Sequence, residues 1–339
     1  MCVGANIGGV EETEMFRKTV EKVYKYAVFS RHDEDDAVFY FTAKDFEGLN
    51  EKPYSFVNKL GDKLCGAFYY YDGYRADRLV IFDHGMGMGH YSYMKEIEML
   101  CRGGFRVFAY DHTGCTLSEG EGIRGLAGSL ADLDECICAL KSDGVLDGIE
   151  YSVVGHSWGG FSAMNIIDIH KDIHSMVAMS GFITVKDIHR QNLNGLAAQF
   201  RGITYRYEKL KNGDYADASA ISSLSATKIP SLIIHSLDDT TVMAKHSFLK
   251  LKAALDALPG GGNPAVTLLS MSGKCHNPNY TEDAVKYKDE FIRKFVKFKK
   301  RGKLRTKEQK LAFKNSFDWE RMTAQDESLW QIILDHLNK

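Results

Sequence analysis

Between Tyr151 and Gly160 the chain reads YSVVGHSWGG, and no other stretch restricts the fold as tightly. Tyr151, Val153 and Val154 suit the end of a buried strand, and the small and apolar residues from Phe161 to Ile169 suit a helix. Between them, Gly155-His156-Ser157-Trp158-Gly159 fits Gly-x-Ser-x-Gly. A serine between a strand and a helix sits on a strained turn. Glycines two residues to either side let backbone pass close by without a Cβ clash. The turn pushes the Ser157 hydroxyl into the open at the helix N-terminus, the arrangement of a nucleophile elbow.

A serine hydroxyl is a poor nucleophile until a base takes its proton, and the base needs a third group to hold its tautomer. Downstream, residues 230–235 (PSLIIH) form an apolar run that reads as a buried strand, followed by a polar turn with two adjacent acids, Asp238 and Asp239. Residues 265–269 (AVTLL) read as another strand, running into a loop with one histidine, His276. Acid and base thus each follow a strand's C-terminal end, the edge where open α/β sheets bind ligands. An oxyanion formed by attack needs backbone donors. Trp158, directly after the serine, offers one N–H. The glycine loop 83–90 (DHGMGMGH), after a strand over 78–82, offers the other at Met86.

The same loop has a competing reading. Strand, glycine loop, helix 91–101, strand 105–110 and Asp111 imitate a dinucleotide fingerprint, but the third glycine of Gly-x-Gly-x-x-Gly is replaced by His90. The nucleotide reading is therefore set aside.

From residue 78 onward strands and helices alternate: helix 126–141, the Ser157 turn, and a strand 176–179 follow. This predicts a mostly parallel sheet with helices on both faces. Upstream, residues 53–60 and 63–71 read as a hairpin across Gly61-Asp62. Residues 14–26 read as an amphipathic helix with Phe16, Val20, Val23 and Tyr24 on one face. With 339 residues and 44% hydrophobic content, the chain can bury one large core with additions. Forty-three basic residues against 45 acidic ones argue against a dedicated nucleic-acid binder. Seven cysteines form no CxxC pair, which suits reduced thiols in a cytoplasmic setting. No basic leader and no long apolar segment is present, so a soluble protein without stable membrane insertion is expected. Cys2 stands where an N-terminal nucleophile would, with nothing downstream to support that role.

On HG at His84-Gly85, DHTGCTLS at Asp111 to Ser118, GHSWGG at Gly155 to Gly160, SLDDTTV at Ser236 to Val242 and the His276 loop, the chain resembles the α/β-hydrolase family. The branch is the esterase, monoacylglycerol-lipase-like and serine-aminopeptidase-like one, and the resemblance spans about Pro53 to Phe298. It implies an α/β-hydrolase fold with a small helical cap insert. Its Gly-x-x-Asp-x-x-Val pattern, with Ser236 in the glycine place, selects Asp239 over Asp238 as the acid. The family's Asp-x-Arg-Gly-x-Gly-x-Ser segment departs here at Thr113, in the arginine place, and at Thr116, in the place of the second glycine. The implied division is an N-terminal extension over 1–52, a core over 53–181 and 230–299, a cap over 182–229 and a helical tail over 300–339. His90 and Tyr91, with Leu196, Phe200 and Tyr205 of the cap, are expected to shape the substrate pocket.

The expected chemistry is acyl transfer by Ser157, His276 and Asp239 with an oxyanion hole from Met86 and Trp158. It needs no cofactor and no metal. A small-molecule carboxylic ester is the favoured substrate because the resemblance implies it, with peptidase, aminopeptidase or amidase activity, or a non-catalytic binding protein, as alternatives. Homo-oligomerisation is left open. In the tail, the Lys/Arg-rich stretch 293–310 reads as a solvated face. Residues 323–326 read as a capping box before a helix bearing Leu329, Trp330, Ile333, Leu334 and Leu337.

Overall fold

In a computed structural model, which describes residues 7–339 and the side chains of residues 14–339, the elements follow the chain as α1 (Ile7–Val28), β1 (Asn50–Val57), β2 (Lys63–Tyr70), β3 (Arg78–Asp83), α2 (Met94–Arg102), β4 (Arg106–Tyr110), α3 (Gly128–Ser142), β5 (Glu150–His156), α4 (Trp158–Ile169), β6 (Met176–Met179), α5 (Val185–Asn192), α6 (Arg201–Asn212), α7 (Ala220–Ala226), β7 (Ser231–Ser236), α8 (Phe248–Asp256), β8 (Val266–Met271), α9 (Glu282–Lys300), α10 (Lys307–Lys314), α11 (Trp319–Met322) and α12 (Glu327–Leu337). Cys2 lies outside the described residues. The eight strands form one sheet in the order β1-β2-β4-β3-β5-β6-β7-β8. The β1–β2 and β2–β4 pairs are antiparallel, and all the others are parallel.

The strands β3, β5, β6 and β7 carry short apolar runs at their centres because both of their faces are covered. Side chains alternate across the sheet. Leu79, Ile81 and Val153 join the layer that holds Leu133, Ile137, Phe161 and Ile166 of α3 and α4. Val80, Phe82 and Val154 join the layer that holds Ile97 and Leu100 of α2 with Trp330, Ile333 and Leu337 of α12. The final helix is therefore part of the core. Among the described residues no helix is long and apolar enough to cross a membrane, and the six described cysteines are all free.

Three sequence expectations are corrected at element ends. The hairpin connection is longer than Gly61-Asp62, because Asn58 Oδ1 accepts from the N–H groups of Leu60 (2.9 Å) and Asp62 (2.8 Å) and folds residues 58–62 into the turn. On α1 only Tyr24 of the expected apolar face is buried, while Phe16 and Val23 are exposed. Polar contacts anchor this helix instead. Tyr24 OH donates to Glu208 Oε1 of α6 at 2.7 Å and lies 2.7 Å from His189 Nε2 of α5. Thr323 is not the cap of the last helix. It closes α11 instead, with its hydroxyl and its N–H both donating to Trp319 O, and Asp326 caps α12 by accepting from Ser328 and Leu329 N–H.

Several histidines are buried here. Burial pushes His84 down to about 3, helped by the neighbouring His112, and pushes His189 down to about 4. It holds His156 well below the usual imidazole range, with His276 adding to the effect. Unfolded, these groups take up protons near about 6.5, so acid favours the unfolded chain. Glu208, which burial raises to about 7, and His112, which Asp83 raises to about 9 against its own burial, act in the opposite direction over the same range. Burial also lowers His32, His235 and His336, so the lowered histidines outweigh the raised groups and give the sign. Stability falls as pH drops from 7 to 5.5, by on the order of 2 kcal/mol. Urea midpoints at the two pH values check this, and an unchanged or higher midpoint at pH 5.5 would contradict it.

Candidate active site

The strand β5 ends at His156, and α4 begins at Trp158. Ser157, the single residue between, has φ 58° and ψ −109°. A side chain here is strained by about 1–3 kcal/mol, and the surrounding packing has to hold it. That packing excludes any Cβ at the flanking positions. One on Gly155 would lie 2.1 Å from Gly159 O, and one on Gly159 would lie 1.9 Å from Asp83 O. The two glycines are thus demanded by contact between β3, β5 and α4.

The loop after β3 closes against the serine, since a Cβ on Gly85 would come within 3.3 Å of Ser157 Cβ. His84 sets that loop's orientation. Its Nε2 accepts from His112 N–H at 3.1 Å, so its Nδ1 carries the proton and donates to Gly85 O at 2.7 Å. In a trans peptide the next N–H points the opposite way. The Met86 N–H is thereby turned away from His84, and it donates to no other group among the described residues. Trp158, the first residue of α4, has no acceptor one turn back. Two backbone donors are thus available at the Ser157 turn.

His276 Nε2 lies 2.9 Å from Ser157 Oγ, and His276 Nδ1 lies 2.7 Å from Asp239 Oδ2. The other Asp239 oxygen accepts from Thr241 N–H (2.7 Å) and Val242 N–H (2.9 Å). Asp239 is buried, whereas Ser157 and His276 are half-buried. The neighbouring Asp238 turns the other way. It accepts from the Ser236 hydroxyl, from Gly273 N–H at 3.1 Å and from Cys275 N–H at 3.4 Å, and so ties β7's turn to the histidine loop.

A further histidine bears on the site. His156 Nδ1 accepts from Tyr93 OH at 2.9 Å, so its Nε2 donates to His276 O at 2.8 Å. A histidine directly before the serine in Gly-x-Ser-x-Gly was the only sequence signal for this, and nothing local says which way its ring points.

The residues expected to line the pocket are used otherwise. His90 is buried. Its Nδ1 meets Asp111 Oδ1 at 2.6 Å and its Nε2 meets Tyr69 OH at 2.9 Å, so it fastens the glycine loop to the end of β4. Tyr91 OH donates to Glu51 at 3.1 Å. Leu196 is 91% exposed. The Phe200 ring packs 5.8 Å from that of Phe16 in α1. Tyr205 OH donates to Asp217, with Lys186 Nζ 4.4 Å from its ring centre. Of the side chains expected to point inward, Leu196 thus faces solvent, Phe200 meets α1 and Tyr205 packs against the core. The two departures after β4 are also accommodated. Thr113 donates its N–H (2.8 Å) and hydroxyl (2.9 Å) to Asp132. Thr116 takes the glycine-like φ of 37°, with its hydroxyl on Asp111.

Asp134, Cys138 and His170 bring possible metal-ligand atoms within 4.8 Å of one another, at the far end of α4 from Ser157. They are engaged already. Asp134 meets His170 Nε2 (2.8 Å), Tyr215 OH (2.5 Å) and Lys59 Nζ (3.4 Å), and Lys141 Nζ lies 3.1 Å from His170 Nδ1. Two ammonium groups in that shell oppose a cation.

A serine elbow after β5, an acid after β7 and a histidine after β8, on a sheet of this order, define an α/β hydrolase. The chain has the α/β-hydrolase fold, and the family model described as serine aminopeptidase, S33, matches residues 74–223. Among solved structures, an esterase of Pyrococcus furiosus is similar, with TM-score 0.55 and 21% identity over 80% of this chain and 98% of that one. The α/β hydrolase GrgF of a Penicillium species has TM-score 0.50 and 13% identity over 74% and 98% of the two chains. An acylaminoacyl peptidase of Pyrococcus horikoshii has TM-score 0.51 and 18% identity over 69% of this chain and 38% of that one. No curated protein matches the chain in sequence.

Proposed function

We propose that the protein is a serine hydrolase that cleaves a carboxylic ester through an acyl-enzyme. The observation that carries this reading is the hydrogen-bonded relay from Ser157 Oγ to His276 Nε2 (2.9 Å) and from His276 Nδ1 to Asp239 Oδ2 (2.7 Å). In this reading Ser157 Oγ attacks the carbonyl carbon while its proton passes to His276 Nε2. The imidazolium is stabilised by Asp239, and the oxyanion accepts from Met86 and Trp158 N–H. Collapse breaks the bond to the alcohol, which takes the proton from His276. Water then repeats the sequence on the acyl-serine and releases the acid. Every step is acid–base chemistry among these side chains, so the reading needs no cofactor. The ester is chosen in keeping with the P. furiosus esterase, matched nearly end to end.

The same machinery cleaves amides, and the serine-aminopeptidase description of the family model favours that as the second reading. A fluorophosphonate probe tests for the activated serine. It should label the wild type and not Ser157→Ala, and equal labelling of both would overturn the assignment. A panel of p-nitrophenyl esters against aminoacyl p-nitroanilides then separates the readings. Turnover of anilides alone would reject the ester.

A further inference from the structure

The loop that carries His276 is tied to the rest of the molecule on two sides. It contains one left-handed non-glycine residue, Cys275 at φ 47°, next to the histidine. Asp238 secures one side of it. The other side is secured by the segment that leads into α12, far along the chain. Lys274, two residues before His276, is 6% exposed, and its ammonium donates to Tyr280 O and to Asp326 Oδ2, each at 2.7 Å. Asn279, three residues after His276, is 1% exposed. Its amide donates to Gln325 Oε1 at 2.9 Å and to Glu96 Oε1 at 3.0 Å, and its carbonyl accepts from Asp326 N–H at 2.8 Å. Thr281 N–H adds a bond to Ala324 O at 3.0 Å.

The anchor itself is rigid. Asp326 Oδ1 is spent on the cap of α12. That helix buries Leu329, Trp330, Ile333 and Leu337 in the layer beneath the sheet, and Trp330 Nε1 donates to Gln325 Oε1 at 2.8 Å. A nearly buried ammonium shared between a carbonyl and a carboxylate is a strong, directional tie. It lies two residues from an imidazole that has to stay in reach of Ser157 through successive proton transfers.

We propose that Asp326 is a positioning residue for His276, acting through Lys274 and Asn279, so that the C-terminal helix serves as a brace for the catalytic base. The proposal rests on the reading of Ser157 and His276 as an acyl-transfer pair. A base displaced by about 1 Å loses rate without loss of substrate binding, so the effect belongs in kcat.

Asp326→Asn tests this, because an asparagine keeps the oxygen that caps α12 and removes the charge that holds Lys274. The expected result is a kcat about 10–100-fold lower, as for other residues that orient a functional imidazole, with KM changed by less than about twofold. Asp326→Glu should recover most of the rate. Lys274→Met attacks the same tie from the loop and leaves the helix cap whole. It should cost as much, and the double variant should cost no more than either alone. Unchanged kcat per folded molecule in both single variants, or a loss that falls in KM, would overturn the brace while the hydrolase reading stands. A wild type that neither takes the fluorophosphonate probe nor turns over any panel substrate would overturn both.

Discussion

Replacing Ser157 by alanine is expected to lower kcat by a factor on the order of 10⁴–10⁶ and to leave the fold intact. The loss follows from chemistry, since without Oγ no acyl-serine forms and only the oxyanion donors remain to assist water. The fold is spared because the hydroxyl's bond is to a half-buried imidazole, 2.9 Å away, at the rim of the molecule. Alanine takes the same φ of 58° at no greater cost than serine, so stability should move by less than about 1 kcal/mol. Turnover of an activated ester and a thermal melt on the same preparation check both halves. Activity near that of the wild type would remove Ser157 from the mechanism.

The second large effect separates two adjacent carboxylates. In Asp239→Asn the amide orientation is dictated by the backbone. Thr241 and Val242 N–H groups, at 2.7 and 2.9 Å, need an acceptor. The asparagine oxygen therefore stays with them, and its NH₂ faces His276. A donor there leaves Nδ1 unprotonated and puts the proton on Nε2, which then cannot accept from Ser157. The expected loss is on the order of 10⁴ in kcat. Asp238→Asn keeps an oxygen for Gly273 N–H and loosens only the tie to Cys275. It should cost about tenfold or less, as a change in loop position. Measuring kcat/KM for the two variants on one activated ester decides the matter. If Asp238→Asn were the more damaging, the acid would be assigned one residue too late, although the Ser-Asp-His relay would survive.

The site was legible in the sequence to unequal depth. Ser157 and its strained turn are a local property, because Gly155 and Gly159 lie within two residues of it and the turn admits nothing else there. Strands β3, β5, β6 and β7 announce themselves because burial on both faces puts apolar residues at their centres. His276 was found because it is the one histidine on the loop after the last strand. The expected pocket residues are not brought together beside Ser157. Residues 182–229 offer Leu196, Phe200 and Tyr205 without a period that says which face is inward, and the packing of α1 takes up part of that surface. The capping residue of α12 was misread because Thr323 and Asp326 are both able caps, and only the end of α11, which takes up Thr323, separates them.

By itself, then, the sequence determined the order of strands and helices and the serine turn, since backbone sterics and apolar runs act between near neighbours. Tertiary structure decided which donors and acceptors meet. Asp239 faces His276 across 37 residues, His156 holds its carbonyl across 120, and Lys274 reaches Asp326 across 52. Each of these contacts depends on two elements docking at one register. The free energy of that docking is spread over the whole buried core, so no short stretch of residues records it.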